Sequence, residues 1–112
     1  MSVTVTPIIP AKSAEGSQTT QYTAPTGTRT IIDKFTGTNY SASSETLSIN
    51  IVTSAGSASN SNLIVKTKTL AAGETYTFPE VVGHVLAPSG FISTIASSGS
   101  AITIRASGRE VS

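Results

Sequence analysis

Within the segment Glu45 to Thr53 the chain alternates from Thr46 to Ile51: Leu47, Ile49 and Ile51 are apolar, and Thr46, Ser48 and Asn50 beside them are polar. Successive side chains on a strand point to opposite faces, so this period of two predicts a strand with one face on a core and the other in water. Similar runs recur along the chain, separated by turn residues. Gln18 to Thr23 reads as a strand closed by the turn Ala24-Pro25-Thr26-Gly27, and Arg29 to Asn39 as a longer one with a bulge expected at Gly37. Leu63 to Leu70 follows the polar loop Ser54 to Asn62, and its spacing puts Lys66 and Lys68 on one face. Ala71-Ala72-Gly73 turns into Glu74 to Phe78, which Pro79 ends. Val81 to Leu86 is too short to separate a strand from a turn of helix. Phe91 to Ala96 and Ala101 to Ala106 are expected to form a hairpin across Ser97 to Ser100, with Ile102 and Ile104 inward and Thr103 and Arg105 outward.

Residues 1–16 depart from this rhythm. Val3 and Val5 alternate with hydroxyls, then Pro7 and Pro10 bracket Ile8 and Ile9. Proline fixes φ and removes a ladder donor, so the segment can lie on a sheet edge but not inside a sheet. The expectation is an extended N-terminal arm over residues 1–16, reaching for a neighbour with Val3, Val5, Ile8 and Ile9, ahead of one folded domain over residues 17–112. On that reading, removing the arm abolishes docking and leaves the domain folded. With about seven or eight short strands and no clear helix, the economical architecture is all-β, a single antiparallel β-sandwich of jelly-roll-like or immunoglobulin-like form.

Composition narrows what such a domain does. The 112 residues suffice for one core. Only 12% are charged, whereas Ser and Thr make up roughly a third, which suits half-buried strands more than helices. A net charge of +1 gives no basic footprint for nucleic acid. There is no cysteine, hence no disulfide framework and no thiolate metal site, as fits assembly in a reducing cytoplasm. No apolar run approaches the ~20 residues of a membrane-spanning helix, and no export signal is legible at the start. The expectation is a protein with no membrane and no nucleic-acid partner.

Candidate chemistry is sparse. The single histidine, His84, would need Glu80 or Glu74 as its carboxylate partner to act as a base, and no activated nucleophile accompanies it. The plainer reading is a bond to a loop carbonyl at the sheet rim. One imidazole and two carboxylates fall short of a zinc site, no calcium-loop pattern occurs, and the acids Glu15, Asp33, Glu45, Glu74, Glu80 and Glu110 are dispersed. The glycines match no nucleotide-binding pattern. Neither a cofactor nor a metal is implied, and no catalytic role is assigned. Lys66 with Lys68, and Arg105 with Arg109, are either a basic strip for an acidic partner or solvated charge that deters edge pairing. Asn39-Tyr40-Ser41 fits the glycosylation acceptor formally, and Tyr22, Tyr40 and Tyr76 read as rim or core aromatics.

Three stretches, TAPTGTRTIIDKFTGTN from Thr23 to Asn39, LAAGETYTFPEVVGHVLAPSGFIS from Leu70 to Ser93, and AITIRASGREV from Ala101 to Val111, resemble a family of small all-β proteins from tailed-bacteriophage structural modules. The resemblance implies a non-enzymatic virion component, foremost a capsid decoration or cement protein. Such a protein is made in the host bacterial cytoplasm, binds the capsid surface, and contacts the major capsid protein and copies of itself, as a homotrimer. It implies no small-molecule substrate. Alternatives from the same sequence are a tail, baseplate or fibre-associated protein, a carbohydrate-binding attachment module, and, from another class, a small hydrolase around His84.

Overall fold

The alternating segments fold as strands, which the computed structural model, describing residues 2–112, arranges in two antiparallel sheets. In chain order the strands are β1 (Val3–Ser13), β2 (Thr19–Thr23), β3 (Arg29–Asn39), β4 (Glu45–Val52), β5 (Leu63–Leu70), β6 (Thr75–Tyr76), β7 (Val85–Leu86), β8 (Phe91–Ala96) and β9 (Ile102–Val111). The first sheet runs β1-β9-β3-β6, with β7 also paired along β3; the second runs β2-β8-β4-β5. Ile8, Ile9, Ile32, Phe35, Ile102 and Ile104 from the first sheet meet Leu47, Ile49, Leu70 and Ile92 from the second in one buried core. The expected antiparallel sandwich is therefore the fold.

Six of the eight connections between consecutive strands cross from one sheet to the other. The expected hairpin of Phe91 to Ala96 with Ala101 to Ala106 is one of these crossings: β8 pairs with β2 and β4, whereas β9 pairs with β1 and β3. Ile92 and Ala96 on β8 and Ile102 and Ile104 on β9 are all buried, and facing one another across the core covers both sets. A hairpin would have left one face of each strand to find other cover.

The leading segment is extended, as expected, but it is not a free arm. β1 pairs with β9 from Val3↔Val111 to Ser13↔Thr103, and Ser2 exchanges both backbone hydrogen bonds with Ser112. Its register slips between Thr6 and Ile9 and again between Ile9 and Lys12, around Pro7 and Pro10. The slip rotates two consecutive side chains inward, so Ile8 and Ile9 are both buried in the protein's own core. As edge strand of the first sheet, β1 holds the one place in a sheet where two prolines cost little.

Two further expectations are corrected by local geometry. The bulge in β3 lies between Ile32 and Lys34, not at Gly37, which stays in register with Ile104 and Tyr76. Gly37 is needed for space: a Cβ there would sit 2.8 Å from the Phe78 ring, which packs edge-on against both Phe35 and Tyr76. Along β5, Leu47↔Lys68 and Ile49↔Val65 leave Lys66 and Thr67 both opposite Ser48. This bulge, with Thr67 at φ +45° and its N–H donating to Ser48 Oγ at 2.8 Å, breaks the period of two. Lys66 and Lys68 consequently point to different sides, and Lys68 Nζ lies 4.3 Å from the centre of the Tyr76 ring.

The polar side of β4 is not wet. Ser48 and Asn50 are buried: the loop from Ser54 to Asn62, ending in the short 3-10 turn Asn60–Asn62, folds back onto Asn50, and Ser48 sits against the bulge of β5. Asn50 Nδ2 donates to Ser59 O at 2.9 Å and to Asn62 Oδ1 at 2.7 Å. The loop keeps its shape through its own capping pair, Ser59 with Asn62.

Candidate functional site

The outer face of the first sheet carries apolar residues where solvent would be expected. Residues opposite one another in adjacent antiparallel strands share a face. One row across the sheet is therefore Val5, Arg109, Ile31 and Val85, and the next is Val3, Val111 and Arg29. Val5 is 76% exposed, Val3 53% and Val85 52%, whereas Ile31 and Val111 are half-buried between them. Valine and isoleucine suit the strand conformation, but among the described residues no other segment covers this face. The same corner presents the unpaired edge of β1, and the residues Val3 to Thr6 precede both prolines. An open edge and an apolar face at one corner are what a docking protein needs.

One ion pair interrupts the row. Arg109 reaches Asp33 with Nε at 3.0 and 3.2 Å and Nη2 at 3.0 Å, a two-pronged grip on the carboxylate. That carboxylate holds the guanidinium pKa above even its usual high value. Asp33 is the residue released by the β3 bulge, which brings it alongside β9.

Of the four candidate interface residues, Val3 and Val5 lie on this face, and Ile8 and Ile9 lie inside the core. Sequence reasoning missed Ile31, Val85 and Val111, since their meeting depends on β7 and β9 flanking β3. No local spacing encodes that order.

The other candidates disperse. His84 is exposed in the turn before β7; its backbone oxygen accepts from Ile32 N, and its ring has no hydrogen bond among the described residues. Glu80 accepts from the Tyr76 hydroxyl at 2.9 Å, and Glu74 from the Ala71 N–H at 2.7 Å, so neither carboxylate is turned to the imidazole. The Glu80 bond raises the Tyr76 pKa above its ordinary value. Among the described residues no three His, Asp or Glu side chains gather as a metal site. Asn39 of the formal glycosylation acceptor is fully buried, and its amide donates to Ser43 O and Leu70 O at 2.8 and 2.9 Å. Tyr40 is exposed and bonds Ser13 through its hydroxyl.

Tyr22 joins the sheets. From β2 its hydroxyl donates to the Glu110 carboxylate on β9 at 2.5 Å, and receives the Thr30 hydroxyl of β3 at 2.7 Å. Burial first, and then the Glu110 bond, push its pKa up to about 12. This is a seam that ties the two layers.

No protein-family model, curated protein or solved structure matches the chain.

Proposed function

We propose that the protein is a non-catalytic structural component of a tailed-phage virion, a decoration protein that binds the capsid exterior and stabilises the shell. The observation that carries this reading is the exposed valine corner of the first sheet, beside the open leading half of β1. Binding only to the assembled shell would stabilise it in proportion to affinity. Docking through Val3, Val5 and Val85 would bury surface that is otherwise unfavourable in water, with the major capsid protein and copies of the chain itself, as a trimer, as partners. The resemblance of the three quoted stretches to phage structural proteins supplies the setting, and the scarcity of titratable clusters agrees with a binding role.

The test is co-sedimentation of the purified chain with DNA-filled heads, and separately with tails, of the phage or prophage that encodes it. Saturable binding to heads is expected, with Val5→Asp and Val85→Asp together removing it while the unfolding midpoint stays in place. Binding to tails alone would move the protein to the tail or baseplate. Undiminished head binding by the double variant would remove the valine corner from the account.

A further inference from the structure

The outer face of the second sheet holds a cavity of about 280 Å³ between the covering loop and the bulge of β5. Its walls carry Gln18, Ser48, Asn60, Lys66 and Thr67, and apolar atoms of Leu63 and Ile95 also line it. We propose that this groove binds one acidic sugar residue, a pyranose ring bearing a carboxylate.

Four observations point to that chemistry. First, several polar groups in the walls have unused hydrogen-bonding capacity among the described residues. Gln18 gives its Nε2 to Ser93 Oγ at 2.8 Å and keeps its carbonyl oxygen free; Ser48 Oγ accepts from Thr67 N and keeps its own hydrogen; the Thr67 hydroxyl and the Asn60 amide make no bond. Sugar hydroxyls donate and accept at once, and a wall with both capacities suits them. Second, among the described residues Lys66 makes no ion pair and no carboxylate lines the cavity, so one anionic group is favoured there. Third, Leu63 and Ile95 offer an aliphatic surface for the C–H face of a ring. Fourth, the size lies just under the roughly 300–1,000 Å³ of sites for drug-sized ligands, which fits one ring and not a chain of them.

The groove is also held in shape. Asn50, only 3% exposed, anchors the loop wall through its two amide bonds. The bulge that puts Thr67 at φ +45° turns Lys66 toward the cavity and Lys68 away from it. A left-handed threonine is unfavourable on its own, and bulges commonly re-aim side chains at binding sites. The site lies on the sheet opposite the valine corner and stands independently of the docking reading. Without an aromatic platform, affinity in the millimolar range is expected.

The experiment is an amide-resolved NMR titration of the full chain with glucuronate, glucose and acetate. Glucuronate is expected to give saturable shifts at Gln18, Ser48, Lys66 and Thr67, with glucose binding at the same amides about tenfold more weakly. Lys66→Gln should bring glucuronate down to the level of glucose, while Lys68→Gln changes nothing. Absence of saturable shifts with glucuronate overturns the proposal. So do identical shifts and affinity with acetate, which would mean a bare anion site, and so does an unchanged affinity in Lys66→Gln. Should that variant fail to give a folded spectrum, the contrast of glucuronate with glucose and acetate on the unaltered chain still decides.

Discussion

The outer faces of the two sheets follow the same alternation and end with opposite characters. On the first sheet the outward residues Val3, Val5 and Val85 are apolar and exposed; on the second the outward residues Ser48 and Asn50 are polar and buried. A period of two separates the side of a strand that meets the core from the side that does not. It does not say what lies over the other side. On the second sheet a loop rich in Ser and Asn covers Asn50, which bonds Ser59 O and the Asn62 side chain, and the β5 bulge meets Ser48, which bonds the Thr67 N–H, so polar groups are required at both places. On the first sheet no described loop arrives, and the uncovered valines are the surface on which the proposed docking rests.

The sharpest way to break this comparison lies within β1, where both kinds of position sit a few residues apart. Ile9→Ala removes a fully buried side chain and should cost about 2–5 kcal/mol, by the range for large-to-small changes in cores. Val5→Ala should stay within about 0.5 kcal/mol, as surface changes do. Urea unfolding of the two variants checks both. If Ile9→Ala proves as mild as Val5→Ala, the leading segment is a detachable arm after all, and the isoleucines belong with the docking surface. Deleting residues 1–16 should likewise unfold the domain.

The buried polar face should be the next most sensitive. Asn50→Ala removes both amide bonds to the loop and leaves Ser59 O and Asn62 Oδ1 only the bonds they exchange within their own capping pair, at about 1–3 kcal/mol for the two lost bonds. Hydrogen exchange should quicken across residues 54–62 and not across β9. A variant with unchanged exchange in the loop would show that the cover is held by something other than this amide.

Much of the fold was legible because strands announce themselves locally. The period at Leu47, Ile49 and Ile51 and the breaks at Gly27, Gly73 and Pro79 placed β2 to β6 within a few residues, whereas Pro7 with Pro10 allowed an edge position but led to a free arm being expected where β1 pairs with β9. What stayed hidden depends on partners distant in sequence. The crossing of β8 to β9 is decided by which sheet needs Ile102 and Ile104, and the turn from Ser97 to Ser100 would serve a hairpin equally well. The bulges at Asp33 and Thr67 arise from pairing register, so the bulge expected from Gly37 fell at the wrong residue and the two lysines were wrongly joined. Three of the five apolar residues of the valine corner, Ile31, Val85 and Val111, could be found only once β7, β3 and β9 were neighbours. The groove on the second sheet needed the folded-back loop and left no motif in the sequence.

The seam between the layers should respond less, and at a defined pH. Because folding raises the Tyr22 pKa from 10 to about 12, its contribution is fully present below pH 10 and is lost as the pH climbs toward 12. Tyr22→Phe removes the bonds to Glu110 and Thr30 at a cost of about 1 kcal/mol near neutrality. Above pH 10 the variant should lose stability less steeply than the unaltered protein, with Tyr40→Phe, at a 52% exposed tyrosine, as the control. Parallel curves for Tyr22→Phe and the unaltered chain would mean that the hydroxyl does not tie the sheets.

The smallest effect on stability is expected from the ion pair inside the valine row, where the consequence lies elsewhere. Arg109 and Asp33 are both partly exposed, with side chains 46% and 38% accessible, and such pairs are weak and screened by salt. Arg109→Ala should therefore shift the unfolding midpoint slightly at low ionic strength and not at all in concentrated salt. A shift as large as that of Asn50→Ala, or one indifferent to salt, would make the pair structural. Its effect should appear in association. Arg109 stands between Val5 and Ile31, so its hydrated charge divides an apolar surface that would otherwise run unbroken from β1 to β7. Replacing it with alanine joins the two halves, and sedimentation velocity should show more self-association of the free chain. Unchanged sedimentation would mean that the valines alone, without the charge between them, do not make the face adhesive, and the contrast between the two outer faces would then be one of packing only.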